Sequence, residues 1–276
     1  MDGLPTGGIE EFCNRIFWVD ALSLLRALPD ASVDMILTDF PYSITQAFYD
    51  KPTLDFVAIG LEMFRVIKRD GAVISTAAQP FTSKLVTTWQ KYFRYEWIWR
   101  KTRKTNFLNA KKMPLSGHES ILVFGHKLPK YYPQMIAGES HKRGKGGHRG
   151  TDLYGKFENY GEISGEFYPD TVLEFQHDKE VSSAGANHPN SKPLTLWTYL
   201  LNTYTLQGDI VLDPFCGGGV TAIACLNLDR HFICGELHEP YVTMSRDRIQ
   251  RHDPFQSTVF KNGTKQLSLF DNQKGE

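Results

Sequence analysis

The chain has 276 residues, of which 41% are hydrophobic, and equal numbers of basic and acidic residues give it a formal net charge of zero. This length suits one large domain, or a domain with an insertion, that buries a sizeable core. No apolar run reaches the about 18 residues of a membrane span and no signal pattern opens the sequence, so we expect a cytoplasmic protein without a membrane segment. The four cysteines lack CxxC spacing, which favours reduced thiols over a zinc site.

The zero net charge conceals an asymmetry along the chain. Between Arg100 and Gly150 there are twelve basic and two acidic residues, so acids outnumber bases by ten elsewhere. A basic block beside an acidic remainder predicts a polyanionic partner. The alternative is that these cations are scattered over a solvated surface.

The first predicted elements lead to a motif at the end of a buried strand. Residues 1–14 show no periodicity and predict a loose arm, and Ile16–Val19 predicts a short strand. Asp20 is a suitable N-cap for the helix that follows. Val33–Thr38 is apolar on both faces, as in a parallel sheet. It ends at Asp39-Phe40-Pro41-Tyr42, and open parallel sheets bind ligands at the carboxyl ends of their strands.

Helices and strands alternate after this motif. The pattern predicts helices over Leu54–Ile67 and Phe81–Trp89. It predicts strands over Ala72–Thr76, Tyr95–Trp99 and Ser120–Phe124. The pair Asp70-Gly71 predicts a turn before the first strand. The aromatic residues between Tyr95 and Trp99 are interpreted as core rather than as a platform on which bases stack.

Residues 126–187 break this alternation. The stretch 140–150 is rich in glycine and includes the cations Lys142, Arg143, Lys145 and Arg149. Such a segment is flexible until it meets phosphate, so we expect it to contact the polyanion. A disordered surface insertion is the alternative.

A strand, a glycine turn and a helix dominate the C-terminal half. Ser191-Lys192-Pro193 predicts the start of a helix that leads to the buried strand Asp209–Leu212. The turn Asp213-Pro214-Phe215-Cys216-Gly217-Gly218-Gly219 and a helix over Val220–Leu228 then complete half of a nucleotide-binding unit. The next strand ends in Glu236, about 20 residues past the turn, where an acid can hold a ribose hydroxyl pair. An ordinary tight turn is the alternative.

Three of these motifs, in this order, resemble those of the amino-group DNA methyltransferases, which modify adenine N6 or cytosine N4. Asp39-Phe40-Pro41-Tyr42 resembles their Asp-Pro-Pro-Tyr tetrad, and the segment Asp213–Gly219 resembles their S-adenosylmethionine loop. His188-Pro189-Asn190-Ser191-Lys192-Pro193 resembles the His-Pro-x-x-Lys-Pro segment that precedes that loop. The tetrad comes before the cofactor loop, as in the β arrangement of the family. The resemblance covers about residues 15–125 and 188–250.

The resemblance implies an α/β fold with a doubly wound, mostly parallel sheet, the Rossmann-like methyltransferase fold. It also implies an inserted target-recognition region. On this basis residues 1–125 are expected to form the catalytic half, 126–187 the recognition insertion and 188–251 the half that binds S-adenosylmethionine. The polar residues 252–276 are expected to be a mobile tail.

The resemblance also assigns roles to the tetrad. The carboxylate of Asp39 and the backbone carbonyl of Phe40 would accept both N–H groups of the target amine, whose lone pair is otherwise delocalised into the base. Tyr42 would stack on the base after extrusion from the duplex, and Pro41 would keep the turn rigid. Phe40 stands where the family usually has proline, so it can still supply the carbonyl but leaves φ unfixed.

The implied cofactor is S-adenosylmethionine, and no metal is expected. The residues that would bind the cofactor are Lys192, Asp213, Phe215, Cys216, Gly217, Gly219 and Glu236. The implied substrate is double-stranded DNA, and a cognate restriction nuclease is a further candidate partner. An aspartate at the first tetrad position favours adenine N6, whereas serine would favour cytosine N4. Cytosine N4, RNA or protein amide targets, and a catalytically dead DNA-binding protein remain alternatives.

The C-terminal tail contains a second resemblance. Gln266-Leu267-Ser268-Leu269-Phe270 is similar to the peptide by which bacterial proteins bind the replication sliding clamp. Leu267, Leu269 and Phe270 are apolar residues in a polar tail, which requires an explanation, and the residues predicted to bind the clamp are Gln266, Leu267, Leu269 and Phe270. The alternative is that the segment folds back as a strand or docks on the catalytic domain.

Overall fold

The structure is a computed structural model that describes residues 1–41, 54–138, 165–176 and 191–252. By its internal contacts the described chain divides into two units. Of the described residues, the larger unit contains 1–41, 54–132, 171–176 and 191–252, and the smaller contains 133–138 and 165–170. In these four ranges no helix is long and apolar enough to cross a membrane.

Ten strands are present in the described residues. Their bounds are β1 Arg15–Trp18, β2 Val33–Asp39, β3 Ile67–Ala77, β4 Phe93–Thr105, β5 Ser116–Phe124, β6 Ile136–Ala137, β7 Glu166–Phe167, β8 Val172–Phe175, β9 Ile210–Asp213 and β10 His231–Glu236. β6 and β7 pair with each other in the smaller unit. The other eight form one sheet in the order β1-β10-β9-β2-β3-β5-β4-β8.

The sheet is mostly parallel, as the sequence predicts. β3 and β4 pair with β5 in antiparallel fashion, and the remaining neighbours in this eight-stranded sheet are parallel. Six helices in the described ranges cover it: α1 Ala21–Ala27, α2 Phe56–Val66, α3 Phe81–Thr88, α4 Leu194–Tyr204, α5 Val220–Asn227 and α6 Glu239–Gln250. The helix starts follow local chemistry, since Asp20 accepts the Ser23 amide at 2.9 Å.

The sheet separates two apolar cores. One contains side chains of α1, α2 and α3, and the other contains side chains of α4, α5 and α6. The adjacent β2 residues Ile36 and Leu37 enter opposite cores. This explains why β2 is apolar without alternation, since both of its faces are buried. The fold is therefore an α/β doubly wound sheet with an antiparallel extension.

Two local predictions are wrong. The N-terminal residues are not a loose arm, because Phe12 is fully buried and the Asp2 amide donates to the Trp18 carbonyl at 2.9 Å. The Asp2 carboxylate also forms an ion pair with Arg246. In addition, β3 begins at Ile67, so Asp70-Gly71 lies inside the strand, in a segment where its register against β2 shifts. The residues that contact Asp2 and the strand that pairs with β3 are distant in the sequence, so local patterns could not reveal these contacts.

The strand order reverses between β2 and β9. These strands are neighbours, with Met35 opposite Val211 and Ile36 opposite Leu212. From β2 the chain proceeds through α2 to β3 on one side, and from β9 through α5 to β10 on the other. Such a switch point opens a crevice at the carboxyl ends of the two strands. The tetrad follows one strand and the glycine turn follows the other, as the sequence predicts.

Candidate active site

A buried carboxylate joins the two strands at the switch point. The Thr38 hydroxyl at the end of β2 donates to Asp213 Oδ1 over 2.8 Å. The Thr221 hydroxyl in α5 donates to Oδ2 at 2.5 Å, and the Phe215 amide donates to Oδ1 at 3.1 Å. Burial raises the pKa of Asp213 to about 7. Asp213 therefore ties β2, the glycine turn and α5 together from behind the turn.

The glycines of the turn adopt backbone conformations that other residues avoid. Gly217 has φ of 49° and Gly219 has φ of 74°, and Gly219 is the N-cap of α5. A Cβ on Gly219 would lie 3.0 Å from the Ser245 Cβ. The Ser245 hydroxyl also donates to the Gly217 carbonyl at 2.6 Å. Ser245 therefore packs against one side of the turn. The N-terminus of α5 faces the crevice, where its backbone N–H groups favour electron-rich ligand atoms.

Glu236 closes the turn from the end of the neighbouring strand β10. Its Oε2 accepts the Gly217 amide at 3.0 Å, and its Oε1 accepts the His238 amide at 2.7 Å. Burial raises the pKa of Glu236 above its usual value. Each carboxylate oxygen can accept more than one hydrogen bond, so Glu236 is oriented by backbone amides and retains the chemistry that ribose hydroxyls need. Cys216, also predicted to bind the cofactor, is buried, and its amide donates to the Gly235 carbonyl at 3.0 Å.

Asp39 ends β2 at the same edge. Its Oδ1 accepts the hydroxyl of Thr76, its register partner in β3. The Lys192 ammonium lies 3.1 Å from the same oxygen. Lys192 was predicted to bind the cofactor, but the contact that the structure shows is with the first residue of the tetrad. A side chain just before α4 and one at the end of β2 therefore share one ion pair at the crevice.

The ion pair extends into a buried row of alternating charges. Lys192 Nζ lies 2.8 Å from Glu119 Oε2, and Glu119 Oε1 lies 2.7 Å from Lys101 Nζ. Burial lowers the pKa of Lys192, but the Asp39 and Glu119 carboxylates outweigh it and hold that pKa above its usual value. Burial likewise raises the pKa of Glu119, and the two ammonium groups outweigh it and hold that pKa low. Glu119 and Lys192, at the centre of the row, are therefore both ionised.

Sequence reasoning missed Glu119 and Lys101. A signal was present, because Glu119 shares its strand face with Ile121 and Val123, which enter the apolar core. A carboxylate at a core position of a strand requires a buried partner. The identity of that partner depends on the fold, since Lys192 is 73 positions away.

Phe40 is held by its side chain. It is 2% exposed, and its ring lies at centroid distances of 5.1 to 6.1 Å from the rings of Phe56, Phe81, Trp89 and Phe215. The shortest of these distances is to Phe215 in the glycine turn. Aromatic packing therefore restrains the second tetrad position, where the sequence predicted a loss of rigidity, and it links the tetrad to the turn.

Several predicted residues lie outside the described ranges. Pro41 is the last residue described before the first gap, and it is partly buried. The residues outside are Tyr42, Lys142, Arg143, Lys145, Arg149, His188, Pro189, Asn190, Gln266, Leu267, Leu269 and Phe270. In the described part of the chain, no group of three or more His, Cys, Asp or Glu side chains is arranged to hold a metal ion.

The chain is similar to known DNA methyltransferases. The type II methyltransferase M.BglII of Bacillus subtilis is 26% identical over 287 residues, which cover 94% of this chain and 75% of that protein. The DNA adenine methyltransferase YhdJ of Escherichia coli K12 is 28% identical over 247 residues, which cover 83% of this chain and 80% of that protein. The solved complex of M1.HpyAVI with SAM superposes with a TM-score of 0.58 at 21% identity, and the match covers 85% of this chain and 98% of that one. That structural likeness shows the fold.

A family model described as DNA methylase, which groups the N6 and N4 enzymes, matches residues 33–247. The match includes the end of β2, the ion row and the glycine turn. Because it spans well over half of the chain, the protein belongs to this family of amino-group DNA methyltransferases.

Proposed function

We propose that the protein methylates adenine N6 in double-stranded DNA, with Asp39 and the Phe40 carbonyl as the acceptors of the amine protons. Transfer of a methyl group from S-adenosylmethionine to an exocyclic amine of DNA is the activity of the family. The observation that carries the residue assignment is the position of Asp39, which lies at the switch point beside the strand that ends in the glycine turn. The carboxylate and the turn therefore face one crevice.

The turn fits the cofactor. Two of its three glycines have positive φ. A side chain on Gly219 would lie too close to Ser245, so the backbone itself forms the surface of the turn. Glu236 would accept the ribose hydroxyls, and the amides at the N-terminus of α5 would face the carboxylate end of the cofactor. When bound, S-adenosylmethionine supplies an electrophilic methyl group on its sulfonium. Asp213 shapes this site through Thr38 and Thr221.

The contacts of Asp39 in the ion row support its proposed role toward the amine. The Thr76 hydroxyl and the Lys192 ammonium hold Oδ1, which fixes the orientation of the carboxylate at the end of β2. A carboxylate held in this way accepts an N–H of the amine and localises the lone pair toward the methyl donor. After transfer, the same carboxylate is placed to take the proton that the amine loses. Positioning of this kind supplies much of the rate in a direct displacement.

Adenine is favoured by two observations. The first tetrad residue is Asp39, and one of the relatives is named a DNA adenine methyltransferase. Cytosine N4 is the alternative within the family. The test is transfer of isotopically labelled methyl to DNA, followed by hydrolysis to nucleosides and mass spectrometry. Labelled N6-methyladenine supports the proposal, and labelled N4-methylcytosine replaces it with the alternative. No label with any DNA would indicate a protein that keeps the fold without the reaction.

The recognition and partner predictions stay proposals. The basic stretch 140–150 is proposed to contact DNA within a target-recognition region over 126–187. A cognate nuclease is proposed as a partner by analogy with the type II relatives. The tail peptide is proposed to bind the sliding clamp, and a pull-down with purified clamp tests this by comparing the full chain with one that ends at Thr264. Equal capture of the two chains would eliminate the clamp proposal alone.

A further inference from the structure

The hairpin formed by β4 and β5 extends past the edge of the sheet that carries the crevice. β5 pairs with β3 as far as Ser120, opposite Ala77, but it begins at Ser116, about 13 Å farther along. Because β5 is antiparallel to both β3 and β4, the hairpin turn lies in the direction of the carboxyl ends of β3 and β2. Asp39 ends β2, so the turn projects beyond the edge at which the proposed chemistry occurs.

The segment 106–115, which we term the hairpin tip, carries an exposed apolar patch. Phe107 is 74% exposed, Leu108 86%, Met113 51% and Leu115 43%. Single exposed apolar residues are ordinary, but four within nine positions form a patch that needs a partner. Each of the four side chains leaves more than two fifths of its surface exposed.

Cations surround this patch. The exposed basic residues that flank or belong to the tip are Arg103, Lys104, Lys111 and Lys112. No acidic residue occurs between Arg100 and His118. An interface with a second copy of the chain would place these like charges together, which costs free energy, whereas a polyanion complements them. Charge therefore favours a nucleic acid as the partner of the tip.

Hydrogen bonds within the tip close its turn. Asn106 has a left-handed backbone conformation with φ of 69°, and its side-chain oxygen accepts the Asn109 side-chain amide at 2.7 Å. The Ala110 amide donates to the Phe107 carbonyl at 3.1 Å, and the Met113 amide donates to the Asn109 carbonyl at 3.0 Å. These bonds present the apolar side chains from a closed turn, so less conformational entropy is lost when they are buried.

We propose that the hairpin tip is a wedge that enters the DNA duplex beside the target base, with Phe107 and Leu108 as the inserted side chains. Phenylalanine and leucine are among the residues that proteins insert between base steps, and such insertion unstacks the duplex. An unstacked step lowers the cost of extruding the neighbouring base, which the reaction requires. The flanking cations bind phosphates on either side. The inference rests on the proposed function, since it takes duplex DNA as the substrate.

The test separates the apolar and ionic parts of this contact. The full chain, the double variant Phe107→Ser/Leu108→Ser and the matched control Val57→Ser/Leu61→Ser are titrated with a labelled duplex at several salt concentrations. Val57 and Leu61 are exposed apolar residues on α2, at 62% and 63%. We expect the tip variant to bind the duplex about tenfold more weakly than the control, with an unchanged dependence on salt, because no phosphate contact is lost.

Replacement of Arg103, Lys104, Lys111 and Lys112 by alanine should instead change the salt dependence of duplex binding. The slope of log affinity against log salt should become shallower by up to about 0.9 for each phosphate contact that is lost. Circular dichroism and thermal melting of each variant show that the fold is retained. These variants leave the ion row and the glycine turn intact.

Two outcomes would overturn the wedge. Duplex binding by the serine variant equal to that of the control would show that the tip does not enter DNA. A smaller sedimenting species in the serine variant alone would assign the tip to contact with a second copy of the chain. Methyl transfer is measured separately on the same proteins. Absence of transfer by the unmodified chain would refute the proposed function, whereas transfer with unchanged duplex binding by the variant would refute the wedge alone.

Discussion

Lys192 places its ammonium 3.1 Å from Oδ1 of Asp39 and 2.8 Å from Oε2 of Glu119. One cation thus connects the residue at the end of β2 to the base of the hairpin between β4 and β5. Lys192 belongs to the His-Pro-x-x-Lys-Pro segment, which precedes the glycine turn in the sequence, and it thereby contacts the first residue of the proposed catalytic motif. This lysine therefore acts on the orientation of the proposed acceptor of the amine.

Asp39→Ala should abolish methyl transfer to DNA and leave S-adenosylmethionine binding within a few-fold of the unmodified protein. The reason is that Asp39 is proposed to face the amine, whereas the proposed cofactor contacts come from the turn and from Glu236. Labelled methyl transfer and calorimetric titration with the cofactor measure the two properties. Retention of transfer by this variant would be incompatible with the proposed role of Asp39.

Lys192→Met should lower both stability and turnover. Removal of the ammonium leaves the Glu119 carboxylate buried with one cation instead of two, and breaking a buried pair in this way costs about 3 kcal/mol. The double variant Lys192→Met/Glu119→Gln removes the uncompensated charge and should recover most of the stability. It should not recover turnover, because Asp39 still lacks its cation. Thermal melting and single-turnover transfer distinguish the two effects, and recovery of both would make Lys192 a purely structural residue.

Local chemistry was readable from the sequence and long-range pairing was not. The strand, turn and helix around Gly217 and Gly219 are contiguous, so composition and periodicity indicate them directly. The row from Asp39 to Lys101 depends on which strands are neighbours, and a sequence pattern carries no such information. Phe40 illustrates the same limit. Its departure from proline suggested a looser turn, and only the packing of four other aromatic rings shows how the position is restrained.

Gly219→Ala should weaken cofactor binding specifically. A positive φ strains alanine by about 1–2 kcal/mol, and here the new Cβ would also lie 3.0 Å from Ser245. Gly208→Ala is a matched control, since Gly208 has φ of 83° with no atom within 4 Å of the added Cβ. We expect both variants to melt at lower temperature and only Gly219→Ala to lose affinity for S-adenosylmethionine. Equal affinity of the two variants for S-adenosylmethionine would show that the turn is not part of the cofactor site.

Asp213 should give stability an unusual dependence on pH. Burial raises its pKa to about 7, so the folded protein retains a proton that the unfolded chain releases near its usual pKa of about 4. The contribution of this group is therefore fully present at acidic pH and is lost as pH rises from about 4 to 7. The asparagine side chain of Asp213→Asn has no carboxyl proton, so this position does not titrate in the variant. The difference in melting temperature between the unmodified protein and this variant should shift in favour of the variant across that window, and a constant difference would contradict the assignment.

Phe40→Ala should destabilise the protein by about 3–4 kcal/mol, because it removes a buried ring that contacts several others. Phe40→Pro should cost a similar amount, since proline fixes φ but fills little of the space. Both should also weaken cofactor binding, because the ring of Phe40 supports Phe215 in the glycine turn. Phe12→Ala is the matched control, a fully buried phenylalanine in the same core that is not in ring contact with Phe215 in the described structure. It should lose comparable stability and keep its affinity.

The methylated base should be the same in all active variants, because the residue at position 40 is proposed to act on the target through its carbonyl. A change of product from one base to another in Phe40→Pro would show instead that the side chain at this position selects the base.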